Sequence, residues 1–377
     1  MRQLLLPLAM LAAAPFATAQ NCFDGDFGTR LQTGLGDWWS PIQAIGFPFP
    51  IGATTYTDLY VTDHCFVALS NAGVPGAPGI ATAYTPTTAN LVAANAKVCC
   101  LYADIIGSGP VGNGGEVWIK STAAKCVVTW LNMQNFGIAT PRFSMQLVLY
   151  PNGDFRTVWG PGCTNVSTFG VPSDNGIVGC SPGGGAIAPA SVDISAGGAT
   201  ADNTTYELWT TPNSFDLANN SAFFARINPG YAYVPLGAPA NCGSLVNNGT
   251  GCNGNSMSGV YVGGTTTTTN VIPSVGNTGL TLRLTGLGAA LAAFVGFGTA
   301  ALPGIPIPFM PGCNAYTSLD IGLFGAGPVA GGQSDFPLAI PPSPSLTGAF
   351  LATQGVSLAL AGLSATNGVN VTIGAGN

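Results

Sequence analysis

The sequence is short of charge. Lysine and arginine total 9 against 15 aspartates and glutamates in 377 residues. Nothing in it can form the basic patch that neutralises phosphates, so nucleic acid is not an expected partner and an anionic membrane surface is equally unsuited. His64 is the only histidine, and no Cys-x-x-Cys pair occurs. The clustered ligands of a zinc site are therefore missing, and no metal or other cofactor is expected. No segment of useful length follows the helical period, and there are no heptads, which excludes a helical bundle or coiled coil.

What the chain does have is glycine, proline and short apolar bursts. Gly 54 and Pro 29 would suit a disordered chain, but 47% of the residues are hydrophobic and they alternate. Alternation interrupted by many tight turns reads as all-β. The first residues have the order of a secretory signal: Arg2, then an apolar stretch from Leu4 to Phe16, then Ala17-Thr18-Ala19 as a small-x-small cleavage site. Residues 1–19 are expected to be removed, leaving a mature chain from Gln20. Ten cysteines in an exported chain point to disulfides. Residues 284–305 carry no charge and are long enough to span a bilayer. Glycines break the run and alternating strands flank it, so two strands and no membrane span are expected.

The strongest local pattern is a hairpin from Arg142 to Trp159. Phe143, Met145, Leu147 and Leu149 alternate with Ser144, Gln146, Val148 and Tyr150, the pattern of a strand with one face in a core. Pro151-Asn152-Gly153 turns the chain, and Phe155, Thr157 and Trp159 resume the alternation. A type I turn closed by a glycine bulge fits these residues. Cys126 to Trp130 supplies a third strand beside it. Residues 45–70 read as three short strands, 98–106 and 115–120 as further ones, and 21–44 as loop. After a Gly/Asn-rich junction, alternation restarts in the second half. The expected fold is two β-sandwich domains in series, residues 20–236 and 237–377, after the signal peptide.

Several stretches of the first half resemble the nidogen-like extracellular β domain. They are IGFPFPIGATTYTDLYVTDHCFVAL at 45–69, CCLYADI at 99–105, GEVWIK at 115–120, CVVTWLNM at 126–133 and FSMQLVLYPNGDFRTVWG at 143–160. The resemblance covers roughly residues 45–236. It departs from the family pattern in two places. Asp63-His64 stands where the family has Asn-Gly, and Cys100-Leu101-Tyr102-Ala103-Asp104 stands where it has Pro-x-Trp-x-Asp. Residues 242–377 resemble a module at the C-termini of secreted bacterial proteins of unassigned function, through PGC at 311–313, PLAIPPSPSLTGAFLATQ at 337–354 and TNGVNVTIG at 366–374. Neither resemblance brings a catalytic residue with it.

His64 and Cys65 are adjacent in an extended segment, so their side chains diverge and cannot form a dyad. The nearest acidic pairs are Asp24 with Asp26, Asp58 with Asp63, and Asp104 with Glu116; turn aspartates in solvent are the expectation, with Asp24-Gly25-Asp26 a weak calcium suggestion. Trp38 and Trp39 sit in loop-like sequence as candidate platforms for sugar rings, or else pack under the N-terminal loop. Cys163 and Cys180 bracket a loop whose ends must meet, so a bridge between them is expected; Cys242 and Cys252 bracket another in the same way. Cys65 is expected to pair with Cys99 or Cys100, and Cys22, Cys126 and Cys313 are left open. The functional expectation is a secreted, non-catalytic extracellular or cell-surface protein with an adhesive or structural role, whose partner is an extracellular protein or glycan. A glycan-binding module and a secreted carbohydrate-active enzyme are the alternatives.

Overall fold

The computed structural model describes residues 23–33, 37–71, 84–106, 114–237, 243–263, 266–268 and 271–374. The expected signal peptide, Cys22 and Cys242 lie outside them. The chain is nearly all β, in antiparallel sheets. The only α-helix among the described residues is the single turn Thr88–Val92, capped by the Thr87 hydroxyl.

In the first half, one sheet runs in the spatial order Thr29–Thr33, Glu116–Ser121, Cys126–Asn135, Phe143–Leu149, Phe155–Trp159, Asn220–Arg226, Tyr231–Pro235, Gly198–Ala199. The facing sheet runs Thr205–Trp209, Gly176–Ser181, Lys97–Tyr102, Phe66–Ser70, Thr54–Val61, Gln43–Ile51. Their inner faces share one core, in which Trp130, Met145, Leu147 and Leu149 meet Leu59, Val67 and Val98. The 142–159 hairpin is central, as its pattern implies. Phe155 pairs with Leu149 and Trp159 with Met145. At the turn, Gly153 takes φ +89 and its N–H bonds to the Tyr150 carbonyl at 3.0 Å. That is the glycine bulge read from the sequence, and a Cβ there would lie 2.7 Å from the Pro50 carbonyl oxygen.

The outer face of this hairpin differs from the expectation. Gln146 and Val148 are as buried as Leu147. The cause is the N-terminal segment, which does not form an open loop. Asp24 lies across the sheet, its N–H donating to Gln146 Oε1 at 2.7 Å while Gln146 Nε2 donates back to the Asp24 carbonyl at 3.1 Å. The chain then enters the sheet as the edge strand Thr29–Thr33.

The second half builds its own sheets. One runs Gly243–Asn248, Gly362–Ile373, Phe350–Ala359, Ala292–Gly298, Gly322–Gly325; another runs Thr266–Thr268, Ser256–Gly263, Leu280–Thr285, Ser334–Pro337. Met257, Leu282, Val295, Phe297, Val369 and Val371 fill the core between them. Ala301–Pro306 and Asn314–Thr317 form a separate hairpin. The uncharged 284–305 run is thus the end of one strand, the strand Ala292–Gly298 and most of a third; no helix among the described residues is long and apolar enough to cross a membrane. No described strand pair joins the two sets of sheets. They meet through the N-terminal segment: Phe27 packs with Trp118 of the first half and Tyr261 of the second.

The cysteines correct the expectation most sharply. Cys252 is bonded to Cys313, 61 residues away, and not to Cys242. Cys163 and Cys180 are buried free thiols, as are Cys65, Cys99, Cys100 and Cys126. Loop length did not decide the pairing. Cys163 points at the Ser144 carbonyl, 3.6 Å away across the central sheet, while Cys180 belongs to the facing sheet. Cys65 and Cys100 do share one face, in the sandwich core, and Cys99 points to the other, among Phe66, Tyr102 and Ile177. In the structure these residues act as small apolar side chains. Burial pushes the thiols of Cys99 and Cys126 up to about 12, which suppresses thiolate chemistry at neutral pH.

Candidate functional site: a buried histidine among carboxylates

The turn between the strands Thr54–Val61 and Phe66–Ser70 is Thr62-Asp63-His64-Cys65. All four residues have 0% exposure. The turn is tied down at both ends: Trp130 Nε1 donates to the Thr62 carbonyl at 2.7 Å, and the Cys65 carbonyl accepts from Cys100 N at 3.1 Å. Cys65 takes φ +59, a left-handed conformation uncommon for a residue with a side chain. It sends the thiol toward the core, where Sγ meets the Asp63 carbonyl at 3.3 Å, and leaves the imidazole on the other side. His64 and Cys65 therefore diverge, as expected.

Three carboxylates surround the imidazole. His64 Nε2 donates to Asp37 Oδ1 at 3.1 Å and lies 3.8 Å from Asp63 Oδ1; Nδ1 lies 4.0 Å from Asp104 Oδ1. Asp63 Oδ1 also accepts the Trp38 N–H at 3.0 Å, so this cluster clamps the Asp37–Trp38 segment onto the turn. Asp104 in turn accepts the Ser167 hydroxyl at 2.6 Å, and Asp174 Oδ1 accepts the Ser167 N–H at 2.7 Å. Aromatic rings border the cluster. Tyr84 lies 6.4 Å from His64 and 6.4 Å from Phe169, and Phe169 stacks on Phe136 at 4.6 Å.

The two segments that depart from the family pattern thus converge: His64 comes from one, and Asp104, which keeps the family's aspartate, from the other. Asp37, Ser167, Asp174 and Phe169 were not singled out by the sequence, because each sits in a loop with ordinary turn composition. The remaining acidic pairs are not brought together. Glu116 bonds Arg30 at 3.3 Å and Trp118 Nε1 at 3.0 Å, away from Asp104. Asp58 accepts the neighbouring Thr57 hydroxyl while Asp63 is buried in the turn. Asp24 and Asp26 are not solvated turn residues. They are buried, and they bind Lys125 and Lys120, each at 2.5 Å. Trp38 and Trp39 are half-buried and pack against the cores, Trp39 edge-on to Phe66 at 5.3 Å, so neither is the exposed platform that sugar stacking needs.

Burial acts against charge throughout the cluster, and the charges act on one another. Burial pushes the Asp63 carboxyl up to about 6, although His64 pulls it down. Asp104 is also raised, by burial first. Burial disfavours the imidazolium, but Asp63, Asp37 and Asp104 outweigh it and His64 titrates above its ordinary value. Asp37 goes the other way, held down by the His64 bond against its partial burial. The cluster retains protons that the unfolded chain would release. It also lacks the order of a nucleophilic triad: the Ser167 hydroxyl donates to Asp104, and that carboxylate stands between hydroxyl and imidazole. Among the described residues no group of three or more His, Cys, Asp and Glu side chains is placed to hold a metal ion.

The first half is an all-β sandwich with a covered hairpin and a buried polar turn. The chain belongs to the NIDO-related family, whose profile matches residues 15–219. The match starts upstream of the segment that carried the resemblance, and so includes the N-terminal residues that cover the hairpin. No curated protein and no solved structure matches the chain.

Proposed function

We propose that the protein is a secreted, non-catalytic component of the cell envelope or extracellular matrix, working by adhesion or as a structural part. Family membership carries this reading, since a nidogen-like domain suggests an extracellular setting. The buried cluster supports it: Ser167 is committed to a carboxylate and His64 is sealed from solvent, so neither is presented to a substrate. Purified mature protein, residues 20–377, should bind saturably to the surface or matrix of the cells that produce it. Uniform, non-saturable binding, or a turnover activity abolished by His64→Ala, would remove the reading. The glycan-binding alternative now rests on Phe169 rather than on Trp38 and Trp39, because Phe169 is the exposed ring of the group; a glycan array on the same protein tests it.

A further inference from the structure

We propose that the surface around Asp37, Tyr84 and Phe169 is a docking site for a lysine or arginine side chain of a partner polypeptide. It deepens the adhesive reading and rests on it for the partner being a protein.

Four carboxylates belong to the patch: Asp37, Asp63, Asp104 and Asp174. Every ion pair the described residues give them goes to the single imidazole of His64. The patch is therefore short of positive charge. Buried groups in it are also short of partners: Asp63 Oδ2 and His64 Nδ1 make no hydrogen bond, and both residues have 0% exposure. Unpaired buried polar atoms are costly, and a cation beside them lowers the cost of the negative charge. The one carboxylate that reaches the surface is Asp37, whose side chain is 54% exposed.

Beside this acidic opening lies an apolar surface that no element among the described residues covers. Phe169 is 64% exposed and Val171 70%, although the Phe169 ring is held flat against Phe136, with 14° between the planes. The Phe169 loop is anchored from below: Phe169 N–H donates to Ser167 Oγ at 3.2 Å, and that hydroxyl donates to Asp104. An exposed, rigidly held ring next to a carboxylate suits the two parts of a basic side chain. The aliphatic stem covers the ring, and the ammonium or guanidinium meets the carboxylate. Among the described residues the chain's own cations are engaged: Arg30, Lys120, Lys125 and Arg283 each hold a carboxylate, Lys97 and Arg156 are buried, Arg142 bonds the Asn132 carbonyl and Gln134, and Arg226 bonds the Gly52 carbonyl.

The test uses the mature full chain and a labelled pentapeptide with one lysine between leucine and phenylalanine. Control peptides carry glutamine or glutamate in place of lysine. The lysine peptide should bind at least about tenfold more tightly than the glutamine peptide, the factor that 1.4 kcal/mol represents. Asp37→Asn and Phe169→Ala should each weaken it about tenfold while keeping the parent's circular dichroism spectrum, and Asp202→Asn, an exposed carboxylate elsewhere, should not weaken it. Equal binding of all three peptides, an unaltered Asp37→Asn variant, or displacement of the peptide by micromolar calcium overturns the proposal. If the two variants still bind the producing cells like the parent, this site is wrong while the adhesive reading stands.

Discussion

Asp26→Ala should destabilise the protein by about 3 kcal/mol and separate its two halves into distinct thermal transitions. The residue is 7% exposed and gathers donors from both halves. Lys120 of the first reaches Oδ2 at 2.5 Å; Tyr261 and Thr278 of the second donate to Oδ1 at 2.7 Å and Oδ2 at 2.9 Å. Removing one member of a buried pair typically costs about 3–5 kcal/mol, because the partner stays desolvated. Lys120 keeps 30% of its side chain exposed and can rehydrate, which favours the lower end. Burial raises the Asp26 carboxyl, but the bonds from Lys120, Tyr261 and Thr278 outweigh it and hold the group below its ordinary 3.8. Its contribution is thus complete above that value and is lost as pH falls through the folded value. Urea titration with calorimetry measures both effects. A loss below about 1 kcal/mol with one unchanged transition would show that the N-terminal segment does not couple the halves.

Removing the Cys252–Cys313 bridge should cost about 4 kcal/mol, the chain-entropy value for a separation of 61 residues. The loss should fall on the second half. Cys252 packs there with Met310 and Ala365, while the first half among the described residues holds free thiols. Cys252→Ser/Cys313→Ser should therefore melt early in fragments from 243–374 and leave 23–237 protected in hydrogen exchange. Non-reducing peptide mapping gives an independent check. A peptide linking Cys252 to Cys242 would restore the loop-spacing expectation and contradict the structure.

The strands were legible because period-2 alternation reports a half-buried sheet directly. The 142–159 hairpin was read to its turn type, since Pro151, Asn152 and Gly153 each fix a backbone angle. The N-terminal segment was not legible. Asp24, Gly25 and Asp26 have the composition of a solvated turn, and only partners 122 and 249 residues away, Gln146 and Ser274, bury them. Gly25 has the plainest physical reason to be glycine, because a Cβ would lie 2.4 Å from the Ile272 carbonyl oxygen. The cysteines failed for the same cause: proximity along the chain is a weak guide once sheets bring distant segments together. The site was half legible. Asp63-His64 stood out as a departure from the family pattern and Asp104 as one of a candidate acidic pair, but that they meet, and that Asp37 and Ser167 join them, is set by the packing of one sheet on the other.

These residues form one proton-retaining cluster that clamps the Asp37–Trp38 segment onto the buried turn. The signs follow from the titrations. Asp63 is raised from 3.8 to about 6, so its proton favours the folded state at acid pH and that stability is lost as pH rises through about 6. Raised His64 stabilises fully below 6.5, and this is lost as pH rises through its higher folded value. Asp37 is lowered and acts in the opposite sense, with stability lost as pH falls through its folded value. Because His64 is the only histidine, its ring gives a single set of proton resonances. Following that signal with pH by NMR is the direct measurement. The midpoint is expected above 6.5 and should drop in Asp63→Asn. A midpoint at or below 6.5, or one indifferent to Asp63, would contradict it.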